Sequence, residues 1–246
     1  MQNILYPSPA RSLYRRFLPL PLRRTVHEIR CWAGLTKPDV SPIDTFSEPP
    51  FNRGFDRHRC VFIHIPKCAG VSILRRIGDI YPEHIPYSEF EIKDSDRFWR
   101  YFKFTFVRNP WDRLVSSYCF LKKGGLTKDD RRWASNVLAP YEDFEGFVKG
   151  WVQPKNIETK IHFVPQHRFI CDSEGRIRVD FLGRFERVAE DWREISQRLE
   201  LPTELGHHNR SRHRHYAEFY TPETAAIVAE VYARDIELFG YRLEGV

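Results

Sequence analysis

Twice in this chain a short run of β-branched and aromatic residues ends at a proline-containing turn and gives way to a helical pattern. CVFIHIP (60–66) leads through KCAG into VSILRRIGDI, where Ile73, Ile77 and Ile80 share one side. FKFTFV (102–107) leads through RNP into a stretch with Leu114, Val115, Tyr118 and Leu121 at helical spacing. A third run, RVDFLGRF (178–185), precedes the stripe Val188, Trp192, Ile195 and Leu199. Strand–turn–helix units separated by long connections restrict the chain to an α/β fold, a parallel sheet flanked by helices. A last helix is expected over TPETAAIVAEVYARDIELFGY, with Thr221 as cap, Pro222 in the first position and Gly240 at the end. Residues 122–170 are weakly periodic and rich in aromatics, and read as helices and loops laid over the ligand edge of the sheet.

Residues 1–58 read differently. The first 50 hold 8 of the 17 prolines and seven Lys or Arg against four Asp or Glu. Proline removes backbone donors and disfavours helix before it, so this is expected to be a basic, loosely structured arm with one short helix near Thr25–Ala33; the alternative is a membrane-surface or targeting segment that makes peripheral membrane contact. The folded domain is expected over 59–246. No apolar run approaches the ~18 residues that span a bilayer, and FLPLPL is too short and too proline-broken for a secretory signal. Five cysteines without a CxxC pattern argue against a disulfide framework or zinc site. These features point to a cytoplasmic protein. The net charge of +6 suits an anionic ligand but falls short of a dedicated nucleic-acid binder.

The two turns carry the chemistry. Helix-start N–H groups lack intrahelical partners and carry partial positive charge, so they bind phosphate or sulfate. In HIPKCAGVS, Ala69 and Gly70 leave room for an anion, Ser72 adds a hydroxyl, and Lys67 can neutralise an oxygen at the entrance. The lysine precedes the glycine and the loop is short, so this is not a GxxxxGK[ST] nucleotide loop. In FTFVRNPWDRLVSSY, Arg108 leaves a strand's C-terminal end, where open α/β sheets bind ligands, and its fork suits phosphate. Ser116 follows two helical turns on. Asp112 could pair Arg113 or cap the helix, and Arg108 could instead pair an acidic residue.

PKCAGVS followed by FVRNPWDRLVSSY resembles the family-2 carbohydrate sulfotransferases, which include Golgi heparan- and chondroitin-type enzymes and bacterial relatives. VPQHRF (164–169), FLGRFERVAEDW (181–192), HHNRS (207–211) and VYARDIELFGYRL (231–243) extend the likeness over roughly 59–243. The resemblance implies a P-loop-like α/β fold that uses 3′-phosphoadenosine 5′-phosphosulfate (PAPS) as co-substrate, without metal. It implies that Lys67, Cys68, Ala69, Gly70, Val71 and Ser72 hold the 5′-phosphosulfate, that Arg108 and Ser116 hold the 3′-phosphate, and that Ser211 and Arg212 assist. The Golgi enzymes' N-terminal membrane anchor is not seen here.

Transfer of a sulfuryl group needs a base for the acceptor hydroxyl, and histidine fits. His84, in YPEHIPYSEF, is the chosen base; HIPYSEF also resembles the segment with the catalytic histidine of the heparan 2-O type. Glu89 or Glu91 is the fallback. His64 reads as a packed core residue, while His162 and His167 are candidates for positioning. The basic cluster 207–216 is expected to fold over the cofactor's 3′-phosphate or to grip an acidic glycan, and the group Lys122, Lys123, Arg131 and Arg132 to meet substrate carboxylates. The expected function is therefore sulfation of a carbohydrate hydroxyl. The rivals are a nucleotide-dependent kinase and a non-catalytic binder of acidic polymers.

Overall fold

The computed structural model describes residues 50–78, 84–205 and 215–243. Ser211, Arg212, Ile80 and the helix expected near Thr25–Ala33 lie outside these residues. Among them, the helices are α1 (Arg53–His58), α2 (Gly70–Ile77), α3 (Tyr87–Lys93), α4 (Ser95–Arg100), α5 (Pro110–Lys122), α6 (Lys128–Trp133), α7 (Phe144–Trp151), α8 (Pro154–Ile157), α9 (His167–Ile170), α10 (Val188–Leu199), α11 (Pro222–Val231) and α12 (Ala233–Phe239). The strands β1 (Cys60–Ile63), β2 (Phe102–Val107) and β3 (Phe181–Arg184) form one sheet, in that order. Both pairings are parallel, with Phe62 beside Phe104 and Phe106 beside Gly183. The expected α/β architecture is present.

Burial explains why these runs are strands. Every residue of β1 and β2 is buried, as a strand covered on both faces requires. Phe62 stacks on Phe104 and Phe104 on Phe102, and these rings belong to a core that also holds Ile73 and Ile77 of α2 and Trp192 and Ile195 of α10. Gly183 is a close approach: a Cβ there would lie 2.6 Å from the Phe106 ring. A second core joins α5, α7 and α11 through Trp111, Tyr118, Phe147, Trp151 and Val228.

Three local expectations are corrected. The packed region takes in residues placed in the arm, because Phe51 and Phe55 already belong to the core and α1 is capped by Asn52. The last helix is two helices: at Tyr232 the backbone leaves helical geometry (φ −108°, ψ 21°), and its hydroxyl donates to the Phe163 carbonyl at 2.7 Å. Residues 87–100 form α3 and α4, which the sequence pattern did not reveal. Asp94 ends the first and caps the second, accepting from the Arg97 N–H.

The parallel arrangement delivers the C-terminal ends of all three strands to one edge. The 64–69 turn follows β1, Arg108 and Asn109 follow β2, and Phe185 and Glu186 follow β3. Glu186 accepts the Asn109 N–H at 2.7 Å, and Arg108 lies over the Phe185 ring at 4.0 Å.

Candidate active site

The first turn is unusual in its backbone. Lys67 (φ 68°) and Ala69 (φ 62°) are non-glycine residues in the left-handed region, a conformation that costs about 1 kcal/mol or more at each. Surrounding bonds hold it: Arg113, itself buried, donates from Nε to the Pro66 carbonyl at 3.1 Å, and Arg108 donates from Nη1 to the Lys67 carbonyl at 3.0 Å. The turn opens into α2 at Ala69, which offers no side-chain cap, and no acid occupies the first turn. By contrast, α5 is capped by the Asn109 side chain. The Gly70 and Val71 N–H groups at the start of α2 thus keep their partial positive charge for a ligand, while that of Ser72 already donates to the Ala69 carbonyl at 3.1 Å. Val71 and Ser72 stand in that first turn, Ser72 being buried.

Gly70 is set by contact. A Cβ at this position would fall 1.9 Å from the His64 imidazole. Replacing Gly70 by alanine must displace His64, so the melting temperature is expected to fall by roughly 5 °C or more, the scale of an overpacked core. An unchanged melting temperature would show that His64 is free to move.

Lys67 extends over the Phe120 ring, Nζ to centroid 4.1 Å. Burial, together with the nearby Arg108 charge, pulls its pKa down to about 8. Cys68 faces the other way, with Sγ 3.5 Å from the Pro66 carbonyl and from Gln166 Oε1, and burial pushes its thiol up to about 12. It is a packed thiol that contributes its backbone to the turn.

Arg108 realises the acidic pairing. Nε and Nη2 donate to the two Asp112 oxygens at 2.7 and 2.9 Å. Asp112 therefore neither pairs Arg113 nor caps α5. With the bond to the Lys67 carbonyl, three of the five guanidinium N–H groups are used, and two remain. Ser116 lies eight residues on in α5, buried, and its Oγ has no hydrogen-bond partner among the described residues. Orphaned buried hydroxyls are uncommon. This one fits an acceptor from outside the chain.

His84 closes the site. Its Nδ1 lies 3.0 Å from the His64 carbonyl oxygen. A carbonyl only accepts, so Nδ1 carries the proton and Nε2 presents the lone pair. The ring stands 4.2 Å from His64 and 6.3 Å from His162. Burial draws His84 down to about 4, with the Arg113 and Lys67 charges acting in the same direction, and draws His162 down to about 3, where the His84 charge adds to the effect. His162 Nδ1 is 3.9 Å from Asp130, and its ring lies 5.1 Å from Phe120. Of the fallback carboxylates, Glu91 is held by Arg178 at 3.4 Å and Glu89 sits in the first turn of α3. His64 is buried as expected, but it forms the wall between Gly70 and His84.

Several organising residues escaped the sequence reading. Gln166 is fully buried and grips the Arg108 backbone on both sides: Oε1 accepts its N–H and Nε2 donates to its carbonyl, each at 2.8 Å. Asp235 of α12, equally buried, accepts from the Gln166 N–H (2.6 Å), the His167 N–H (2.9 Å) and His167 Nδ1 (2.6 Å). His167, a candidate for positioning, is thus bound to Asp235 by both its backbone N–H and its ring. Phe120 links Lys67 to His162. The available signal for Gln166 was its place in VPQHRF, one of the segments that carry the family likeness. Lys122 donates to the Glu142 carbonyl, Arg132 faces Asp129, and Lys123 and Arg131 point to solvent.

The model of the sulfotransferase family matches residues 54–242, more than half of the chain. The chain belongs to the sulfotransferase family. It is 24% identical over 182 residues to carbohydrate sulfotransferase 14 of Danio rerio, covering 60% of this chain and 47% of that protein. To the Homo sapiens protein of the same name it is 24% identical over 184 residues, 60% of this chain and 46% of the relative. An uncharacterized protein of Archaeoglobus fulgidus is 29% identical over 105 residues, 43% of this chain and 72% of the relative. The chain spans about half the length or less of the vertebrate relatives. No solved structure matches significantly. The cytoplasmic location is corrected by these relatives: they are carbohydrate sulfotransferases, the group whose Golgi members the sequence already resembled. Among the described residues no helix is long and apolar enough to cross a membrane, which is no sign of a cytoplasmic protein.

Proposed function

We propose that this chain transfers a sulfuryl group from PAPS to a hydroxyl of a carbohydrate. The observation that carries the reading is the junction of the two anion-binding turns: Arg108, at the end of β2, donates directly to the Lys67 carbonyl in the turn after β1. One doubly anionic nucleotide can therefore meet both turns at once. The donor set fits such a ligand. An uncapped helix start, a desolvated ammonium, two unused guanidinium N–H groups and an orphaned serine hydroxyl converge on this edge.

In this reading the start of α2 and Lys67 hold the 5′-phosphosulfate, and Lys67 neutralises charge that develops on the leaving phosphate. Arg108 and Ser116 hold the 3′-phosphate. His84 Nε2 takes the proton of the acceptor hydroxyl as its oxygen bonds to sulfur and the sulfur–phosphate oxygen bond breaks. The site itself supplies the positioning.

Radiolabelled sulfate transfer from PAPS to a panel of acidic and neutral oligosaccharides tests the reaction. A thermal shift separates it from kinase chemistry: the desulfated nucleotide PAP is expected to raise the melting temperature, by about 2.7 kcal/mol of added stability at a hundredfold excess over Kd, and ATP with magnesium is not. Stabilisation by ATP–magnesium alone would favour the kinase.

A further inference from the structure

Arg108 stands just past the end of β2, where the ladder to β1 and β3 no longer reaches its backbone. The residue is buried, and a buried N–H or carbonyl left without a partner is costly. The Gln166 side chain supplies both partners, Oε1 accepting the Arg108 N–H and Nε2 donating to the Arg108 carbonyl. A carboxamide placed in this way does what the peptide of a neighbouring strand would do. The same Oε1 lies 3.5 Å from Cys68 Sγ, in the turn after β1. One amide therefore touches both anion-binding turns. Glu186 accepts the next N–H, that of Asn109, so the entry to α5 is held from two sides.

The two turns differ in what else holds them. Arg113 carries the first, donating to the Pro66 and Val164 carbonyls at 3.1 and 2.8 Å, and neither bond involves the Gln166 side chain. The second depends on Gln166 for the Arg108 backbone, while Asp112 and the Lys67 carbonyl orient the guanidinium. The place of that fork, and of the Ser116 hydroxyl on the same helix, follows from where α5 begins. Gln166 itself is anchored apart from its side chain, because its backbone N–H donates to Asp235 at 2.6 Å. A change of side chain removes the clasp and leaves the segment tied.

We infer that Gln166 is the positioning residue that sets the nucleotide preference of the site. Through Arg108 it fixes the span between the two turns, and with it the preference for an adenosine nucleotide phosphorylated at 3′ and 5′ over one with a 5′-phosphate alone. The inference rests on the PAPS reading above and adds the residue that sets the separation of the two anion sites.

Calorimetric titration with PAP and with adenosine 5′-monophosphate, which lacks only the 3′-phosphate, reads the effect. Gln166→Met keeps the length of the side chain and removes both bonds. It is expected to weaken PAP about tenfold or more, the scale of a buried backbone pair left unsatisfied, and the 5′-monophosphate by less than about twofold. Arg108→Gln is expected to weaken PAP further. Adding Gln166→Met to Arg108→Gln is expected to change PAP affinity by less than about twofold, since a residue that acts through Arg108 then has no guanidinium to place. Equal losses for the two nucleotides, or losses that multiply in the double variant, would overturn the inference in favour of a general structural role. Melting temperatures are recorded throughout. If Gln166→Met does not fold, Gln166→Glu, which keeps the acceptor for the Arg108 N–H and loses the donor to its carbonyl, is held to the same criteria; loss of the fold in both overturns the positioning role. An unaltered protein that binds PAP no better than the 5′-monophosphate overturns the PAPS reading and this inference with it. A preference for PAP that Gln166→Met retains in full overturns this inference alone.

Discussion

Lys67→Ala is expected to lower turnover by two to four orders of magnitude, roughly 3–5 kcal/mol of transition-state stabilisation. Its effect on folding is expected to run the other way. The ammonium is desolvated, lies over the Phe120 ring and is brought down to about 8 by burial and Arg108. Burial of a charge without a carboxylate partner opposes folding, so removing it leaves the melting temperature unchanged or raises it. The same shift predicts the pH dependence of binding. Below pH 8 the group is charged and attracts the nucleotide; above it the charge is lost and PAP affinity falls, a slope that the alanine variant lacks. Calorimetric titration from pH 6 to 9.5 checks this. Full turnover by Lys67→Ala would remove the residue from the mechanism.

His84→Asn is expected to cost two to four orders in turnover as well, with the fold kept. The asparagine amide can still donate to the His64 carbonyl, but it offers no basic nitrogen. A pKa of about 4 keeps His84 neutral, with Nε2 available, across the physiological range. Bound phosphates add negative charge beside the ring and favour its protonated form. Nuclear magnetic resonance titration should therefore show the His84 pKa rising when PAP binds, which also brings the base closer to its optimum. Stability carries a matching sign. The folded histidine binds its proton near pH 4 and the unfolded one near 6.5, so the unfolded state binds more protons between these values. The stability contributed by neutral His84 is present above pH 6.5 and is lost as the pH falls through 4. Acid unfolding of His84→Asn is expected to be shallower over that window. Identical acid melts and full activity in the variant would remove His84 from both roles.

The parts of this molecule legible in its sequence are those specified locally. FKFTFV is a strand from Phe102 to Val107 because alternating aromatics fill a sheet covered on both faces and the RNP turn stops it. The capping of α11 by Thr221 follows from a side chain and an N–H three residues away. Lys67, Gly70, Arg108 and Ser116 were marked as candidates by turn chemistry and the family pattern, and the fold brings the Arg108 guanidinium to the Lys67 carbonyl. The Asp112 partner was an open choice, since a carboxylate on α5 reaches Arg108 four residues back or Arg113 beside it, and only the packed turn decides. Gln166 and Asp235 were illegible for a different reason. Their partners lie 58 and 69 residues away, and no local preference records a bond made after the chain has closed on itself.

Asp235 also sets the order in which the site can mature. It lies on α12, and Asn109, which caps α5, is itself held by the Arg242 carbonyl at 2.9 Å. During synthesis both anion-binding turns have left the ribosome long before these residues are made. Until then the Gln166 N–H lacks the Asp235 carboxylate that accepts it, and the side chain that clasps the Arg108 backbone is less firmly placed. A nascent chain released before α12 would carry both turns without the Asp235 contacts that place Gln166 and His167.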